Sequence, residues 1–434
     1  MTGEHSVTLD PDKCKGCTTC LRYCPTEAIR VRKGRAHIIS ERCVDCGECI
    51  RVCPHGAKKA LSDSMSSLER FAVRVAIPAP SLYGQFDERF SVDQILSALL
   101  ELGFTDVFEV AKAAELVSDA SRTWMETRTS LADGPCISSA CPAVVKLIQV
   151  RFPSLLDRLL PVLSPMEVAA RIVKTKLYPN RNEVGVFFIS PCAAKVSAAR
   201  TALGTGGSLV DGVLGMKDLY VPLRTAMPGA PSRKLRHSGS RGMAWAHIDG
   251  ESDAMGSSRA ISVSGIADVM GVLEALENGK LKSVSFIEAL ACPSGCVGGP
   301  LTVENPYMAK ARIRARERAM DELPEASRQL PDCTDVCMER SGKIPPRPAL
   351  RLHPDMLQAM IMMEESEIVA ESLPGLDCGS CGAPSCRALA EDVAKGDACI
   401  TDCIFKLREN VRHLAEQLLD MELRQPPGLD KGNV

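Results

Sequence analysis

"CKGCTTCLRYCP", residues 14–25, recurs as "CVDCGECIRVCP", residues 43–54, with every cysteine of the first copy returning 29 residues later. Both copies read C-x2-C-x2-C-x3-C-P. Three thiolates two residues apart wrap one face of an iron–sulfur cubane in a tight loop, and the fourth, followed by proline, reaches the other cluster of the pair. The spacing therefore assigns Cys14, Cys17, Cys20 and Cys53 to one [4Fe–4S] cluster, and Cys43, Cys46, Cys49 and Cys24 to a second. Zinc fits less well, because it takes its four ligands as two pairs rather than three close together and one remote.

The rest of the composition agrees with redox chemistry. The chain has 434 residues, enough for two or three domains, and 45% are hydrophobic. A formal charge of −2 and an aromatic content of 4% argue against nucleic acid or an anionic membrane as partner. "MTGEHSVTLD" lacks the basic-then-apolar pattern of a secretory signal. The longest apolar runs, such as "VGVFFI" at 184–189, are too short to span a bilayer. The expectation is a soluble, cytoplasmic protein. Its 20 cysteines then point to metal or redox work rather than disulfides. Residues 8–60 resemble a bacterial two-cluster ferredoxin, which moves electrons and does no other chemistry.

Beyond the repeat, short apolar runs alternate with helical patterns. "FAVRVAIPAPS" (71–81) reads as a strand entering a loop, and "SVDQILSALLELGF" (91–104) carries apolar residues at helical spacing. "TDVFEV" (105–110), "NEVGVFFISPC" (182–192) and "SRAISVSG" (258–265) read as further strands, the last followed by a helix. Such βα alternation predicts parallel sheets, with ligands bound beyond the carboxyl ends of strands. Residues 204–258, rich in Gly, Ser and basic residues ("GAPSRKLRHSGSRG"), read as a mobile surface excursion.

"SSACPA", "ISPCAAK" and "EALACPSGCVGGP" contribute Cys141, Cys192, Cys292 and Cys296. In that order they resemble the three signature segments of the [FeFe] hydrogenases: T-S-C-C-P, M-P-C-x-x-K and E-x-M-x-C-x-x-G-C-x-x-G-G. "VFEVAKAAEL" (107–116) and "APSLYGQF" (79–86) extend the likeness over most of residues 70–310. The resemblance implies an α/β H-cluster domain with two parallel-sheet lobes. It also implies the H-cluster itself, a [4Fe–4S] cubane joined through one cysteine to a diiron unit carrying CO, cyanide and a bridging dithiolate amine. Cys141, Cys192, Cys292 and Cys296 match the cubane ligands, and Cys296 matches the bridge to the diiron unit. Lys195 matches a lysine that hydrogen-bonds a cyanide. Ala79, Pro80, Ser81 and Ser190 match positions lining the diiron pocket. Gly295, Gly298 and Gly299 are expected to let backbone approach the cofactor closely.

The departures from the family pattern are specific. Active members carry a proton-donating cysteine directly before the first cubane ligand, where this chain has Ala140. Losing a positioned general acid typically costs about 10²–10⁴ in rate. The second segment has Ser190 in place of methionine, the third has Leu290 in place of methionine, and Val144 replaces a tryptophan. Ligands kept and relay lost is the pattern of the group D, sensory-type members, which implies slow turnover in the service of sensing hydrogen or redox state. A metabolic enzyme with a rerouted proton path is one alternative. Another is a non-catalytic iron–sulfur electron-transfer subunit lacking the diiron site.

"CGSCGAPSCRALAEDVAKGDACITDC" (378–403) places Cys378, Cys381, Cys386 and Cys403 at C-x2-C-x4-C-x16-C. It resembles the small four-cysteine domain of electron-transfer and corrinoid proteins and implies a third [4Fe–4S] cluster, with Cys399 as an alternative fourth ligand. Cys136, Cys333, Cys337 and Cys399 share no ligand spacing and read as ordinary thiols. Cys333 and Cys337 lie in a proline-rich stretch, 330–348, that reads as a linker. "IFKLRENVRHLAEQLLDMELR" (404–424) carries a heptad seam from Ile404 to Met421, short of three heptads, so packing onto this chain, a homodimer and a signalling partner all stay open. The expected organisation is a multidomain α/β protein. A small α+β two-cluster ferredoxin domain (1–65) precedes the H-cluster domain (66–345), a small helical iron–sulfur module (346–405) and a C-terminal helix and tail (406–434). Expected partners are H2, protons and a redox protein.

Overall fold

The computed structural model describes residues 5–127, 134–179, 183–201, 204, 207–321, 332, 333 and 335–424. The 29-residue repeat is visible in the backbone. Each copy folds its first two cysteines into a loop and turns through a left-handed residue, Thr18 (φ 61°) or Gly47 (φ 75°). One helical turn follows, Thr19–Arg22 or Glu48–Arg51, and carries the third cysteine. Strands β1 (Val7–Leu9), β2 (Ile29–Arg32), β3 (Arg35–Ile38) and β4 (Lys58–Ala60) complete the unit as two antiparallel pairs, β1 with β4 and β2 with β3. Lys33 and Gly34, both at positive φ, close the β2–β3 hairpin with the backbone twist that two-residue turns require.

The central region holds seven strands: β5 (Val73–Pro78), β6 (Asp106–Val107), β7 (Cys136–Ile137), β8 (Val184–Ser190), β9 (Gly212–Gly215), β10 (Ala260–Ser264) and β11 (Phe286–Leu290). They form two parallel sheets, ordered β6-β5-β8-β9 and β10-β11-β7. All seven residues of β8 are buried, the continuous apolar run of a strand covered on both faces. The helix Val92–Glu101 starts at Ser91, whose side chain and that of Gln94 form a reciprocal cap. No helix among the described residues is long and apolar enough to cross a membrane.

Several expectations change. Of 105–110, only Asp106–Val107 is strand, and the helix Val110–Glu126 begins at the end of the segment. The stretch 204–258 is not a surface excursion over its described part. It contributes β9, the helices Met216–Ala226, Ser240–Ala244 and Gly250–Met255, and a buried core that includes His237, Met243, Ala246 and His247. Its glycines serve packing: a Cβ on Gly242 would lie 2.0 Å from the Ala111 carbonyl oxygen.

The described part of the proline-rich stretch is a packed strap. Met338 O accepts from Leu163 N at 2.7 Å, Arg340 N donates to Pro161 O at 2.8 Å, and Arg347 N donates to Gln149 O at 2.9 Å. Cys333 is buried in the main core, while Cys337 is exposed. Residues 330, 331 and 334 and the tail 425–434 lie outside the described residues. The helix Ile404–Leu423 has no buried residue, and its seam positions Leu407, Val411, Leu414, Leu418 and Met421 are all exposed.

The ferredoxin unit and the central region meet at a buried ion pair. Lys146 Nζ donates to Asp45 Oδ2 and to Ser197 Oγ, each at 2.8 Å, and Ser197 Oγ donates to Asp45 Oδ2 at 2.7 Å. Asp45 Oδ1 accepts from the Ser6 and Val7 amides. Removing one partner of such a pair strands the other charge in the interior, at a cost of about 3–5 kcal/mol. We expect Lys146→Met to lose about that much stability in chemical denaturation, and Asp45→Asn/Lys146→Met to recover part of it. A single-variant loss under about 1 kcal/mol would show that the pair does not hold the interface.

Candidate metal centre

In both sheets the cysteines of the three dispersed segments lie just past the carboxyl ends of parallel strands, where the fold leaves a crevice. Cys141 follows β7 and is the N-cap residue of the helix Pro142–Arg151. Cys192 follows β8 and leads into the helix Ala193–Thr201. Cys292 follows β11, and Cys296 opens the turn Cys296–Gly298. The three loops converge: Cys192 feels the charge of Cys141, Cys296 that of Cys192 and Cys141, and Cys292 that of the other three, while Lys195 feels all four.

Burial raises the Cys192 and Cys292 thiols and pushes Cys296 up to about 12, with the neighbouring thiols adding to each. Burial alone would lower Lys195, but Cys192, Cys296, Cys141 and Cys292 outweigh it, and its pKa is raised. Four soft sulfur donors from three loops, grouped around a half-buried cation, suit an anionic iron–sulfur centre. Metal binding is what converts such buried thiols to thiolates.

Local contacts explain how the loops reach this arrangement. Ser190 Oγ donates to Cys192 O at 2.8 Å and accepts from Cys192 N at 3.2 Å, so this hydroxyl shapes the cysteine loop that follows it. The glycines depart from expectation. Gly295 has φ +93°, and a Cβ there would lie 2.7 Å from Ile248 N; on Gly298 it would meet Pro293 O at 2.1 Å, and on Gly299 Pro191 O at 2.2 Å. They bring backbone to backbone: Gly295 against His247 and Ile248, Gly298 within its own loop, and Gly299 against the Cys192 loop.

Because Pro78 pairs with Ile189 and Ser190 with Gly215, the strand ends also set Ala79, Pro80 and Ser81 beside Ser190 and Met216. Ala79 N donates to Ile189 O, and Ser81 Oγ donates to the Met216 sulfur at 3.9 Å. Ala140 presents its carbonyl to Lys195 Nζ at 3.2 Å and donates its amide to Ser138 Oγ at 3.2 Å. Cys136 packs among Leu160, Met255 and Phe286 rather than with the tetrad, so it does not stand in at position 140.

Two buried carboxylates escape the sequence reading. Ser138 Oγ donates to Glu251 Oε2 at 2.6 Å. Glu288 Oε2 accepts from Ser252 N and Ser252 Oγ, and from Ser262 Oγ at 3.3 Å. Burial raises both pKa values; the Glu288 charge raises Glu251 further, against the hydrogen bond from Ser138 and the Lys195 charge. Glu288 left a signal, as the one charge in the buried strand "FIEAL". Glu251 lies in the stretch read as surface.

The other cysteines gather into three groups. A cavity of about 330 Å³ is lined by Cys14, Cys17, Cys20 and Cys53, and another of about 350 Å³ by Cys24, Cys43, Cys46 and Cys49, the exchanged sets that the repeat predicts. Cys381, Cys386 and Cys403 share one small apolar cluster, and Cys381 feels the charge of both Cys378 and Cys403. Cys399 is exposed, with its sulfur 3.1 Å from Thr401 Oγ1.

Comparison with known proteins follows these divisions. Residues 7–57 match a 4Fe-4S dicluster domain, and residues 373–405 match an Fe-S cluster domain. The chain is 30% identical over 245 residues to the periplasmic [Fe] hydrogenase large subunit of Nitratidesulfovibrio vulgaris, covering 51% of this chain and 58% of that protein. It is 25% identical over 348 residues to the NADP-reducing hydrogenase subunit HndD of Solidesulfovibrio fructosivorans, covering 68% of this chain and 56% of that one. It thus spans less than two thirds of the length of either relative. A variant of the [FeFe]-hydrogenase HydA1 from Chlamydomonas reinhardtii superposes with a TM-score of 0.48 at 15% identity, over 61% of this chain and 90% of that structure. Residues 72–227 and 223–300, together more than half of the chain, match the iron only hydrogenase large subunit, C-terminal domain, and the chain belongs to that family.

Proposed function

We propose that this chain is an [FeFe] hydrogenase that interconverts H2 with protons and electrons slowly and serves as a hydrogen or redox sensor. The observation that carries the reading is the convergence of Cys141, Cys192, Cys292 and Cys296, the third buried and the others half-buried, on Lys195. In this reading the tetrad holds the cubane of the H-cluster, and Cys296 also reaches its diiron part. The other twelve assigned cysteines hold three [4Fe–4S] clusters. When bound, the H-cluster supplies the iron site at which H2 is split or formed.

The chain's own residues do the rest. Lys195 is anchored on the Ala140 carbonyl and places a half-buried positive charge beside the thiolates. Ala79–Ser81 and Met216 wall the crevice from the side of the four-stranded sheet. Ala140 carries no proton. The nearest acid on the bonded path is Glu251, reached from the Ala140 amide through the Ser138 hydroxyl. Its raised pKa keeps a carboxyl proton available above the ordinary carboxylate range. In this reading a proton leaving Glu251 must first turn the Ser138 hydroxyl, which donates towards the carboxyl group, and the Ala140 amide, itself a donor, cannot carry it further, which supports slow turnover.

Infrared spectra of the matured full chain, taken with an iron count, test the central claim. Terminal CO and cyanide stretches are expected, and their absence would leave the electron-transfer subunit as the reading.

Ala140→Cys is expected to raise turnover about tenfold or more. Glu251→Gln is expected to lower it by about 10² with the infrared bands intact. Loss of the proton donor should make hydrogen evolution fall as pH rises through the elevated Glu251 range, and Glu251→Gln should remove that limb. Unchanged rates in both variants would exclude this proton route.

Cys403→Ser is expected to lose one cluster's worth of iron and Cys399→Ser none. The reverse result would exchange the ligand.

A further inference from the structure

We propose that the C-terminal four-cysteine module is wired in series with the Cys14–Cys17–Cys20–Cys53 set of the ferredoxin unit, and that an Arg30–Asp392–Arg32 clamp holds the two cluster loops in contact. The proposal rests on the reading of these cysteines as cluster ligands.

The module docks through its ligand loop and through Glu391 and Asp392 of the helix Cys386–Ala394. Cys378 O accepts from Arg22 Nη2 at 2.7 Å, and Cys381 O accepts from Arg32 Nη1 at 2.9 Å. Val31 N donates to Gly382 O at 2.8 Å. Gly382 has φ +80°, and a Cβ there would lie 1.9 Å from the Val31 carbonyl oxygen, so only glycine lets the loops close to this distance. The opposing residues come from the cysteine segment and from β2 beside it. Arg22 lies between Cys20 and Cys24, and Val31 lines the cavity of the Cys14 set. One hydrogen bond, Val31 N to Gly382 O, therefore connects the peptide next to Cys381 with a residue on the wall of that cavity.

The clamp fixes this contact. Asp392, 7% exposed, accepts from Arg30 Nε at 2.6 Å, from Arg30 Nη2 at 3.0 Å and from Arg32 Nη2 at 2.7 Å. Arg42 pairs with Glu391 alongside it. The bidentate fork sets orientation as well as attraction. Two guanidinium groups meet one carboxylate at Asp392, so the interface keeps positive charge between two anionic centres and favours an added electron on either side.

The remaining sets continue the series. Cys46, of the exchanged ferredoxin set, packs in the same apolar cluster as Cys141 and Cys192. In the transfer step one electron leaves a reduced cluster in the module and reduces an oxidised cluster in the Cys14 set. No proton moves and no bond forms or breaks.

The test uses the full chain with its clusters reconstituted and compares electron paramagnetic resonance of the fully reduced protein with that of Asp392→Asn and Gly382→Ala. The wild type is expected to show spin–spin broadening of the module's signal by a neighbouring cluster. Both variants are expected to keep the wild-type iron count and to lose that broadening. Variants that keep their iron are folded, so a loss of coupling then reads separation of the loops. Three clusters with no coupling in the wild type, or coupling unchanged in both variants, would overturn the wiring alone. A wild-type chain that binds no cluster in the module would overturn the ligand reading and the wiring together.

Discussion

Asp45 is the residue on which the arrangement of loops depends. It sits between Cys43 and Cys46, fully enclosed, and its carboxylate is met by Lys146 and Ser197. Lys146 lies five residues after Cys141 and Ser197 five residues after Cys192, each on the helix that its cysteine leads into. One carboxylate thus ties together three loops that carry metal-ligand candidates. Burying two charges costs several kcal/mol each, and the attraction repays that only where every lone pair and proton is used. Here Oδ1 takes two backbone amides and Oδ2 takes the ammonium and a hydroxyl. Such a pair adds little to net stability compared with an apolar substitute, but it admits one relative placement of the three loops. A redox relay needs that fixed spacing more than it needs stability.

The two parallel sheets supply the crevice that this network aligns. A parallel sheet places all its carboxyl ends on one edge, and the helices returning between strands cover its faces, so each sheet offers a rim of loops. The four-stranded sheet contributes Ala79–Ser81, Ser190–Cys192 and Met216, and the three-stranded sheet contributes Ser138–Cys141 and Cys292–Cys296. The rims close on each other at Gly299, whose backbone meets the Pro191 carbonyl where any side chain would block it. Ser190 and Met216 occupy the rim of one sheet, and Glu251 and Glu288 support the rim of the other, so the polar supports of the centre are divided between the lobes.

What was legible in the sequence follows the range of the interaction that fixes each feature. The ferredoxin repeat is set by covalent spacing, so the exchange of Cys24 and Cys53 between halves could be read from the residues and appears in the two cavities. The strands of the central region were legible where burial is continuous, as in Val184–Ser190, and less so at Asp106–Val107, where pairing over two residues leaves no pattern. The stretch 204–258 was misread because its glycines and serines look like loop composition; Gly242 and Gly250 are there for close packing, and His237 and Glu251 are buried by partners far away in sequence. The strap at 336–349 misled for the same reason. Its prolines lack donors, yet its remaining backbone groups pair with Pro161, Leu163 and Gln149. The Asp45–Lys146 pair, separated by 101 residues, left no local trace at all.

Position 140 is engaged through its backbone and not through its side chain. The backbone there is still constrained: its carbonyl anchors Lys195 and its amide holds Ser138. A methyl group in place of a thiol leaves both bonds intact, because neither uses the side chain. The side chain at position 140 can therefore differ without disturbing the bond that holds Lys195 beside the tetrad. Ser138 is held at once by the Ala140 amide and the Glu251 carboxyl, so the buried acid is coupled to the same peptide that positions the cation. The bonds that hold the cation and the acid thus rest on backbone atoms of residue 140 and on Ser138, and none of them uses the side chain of residue 140.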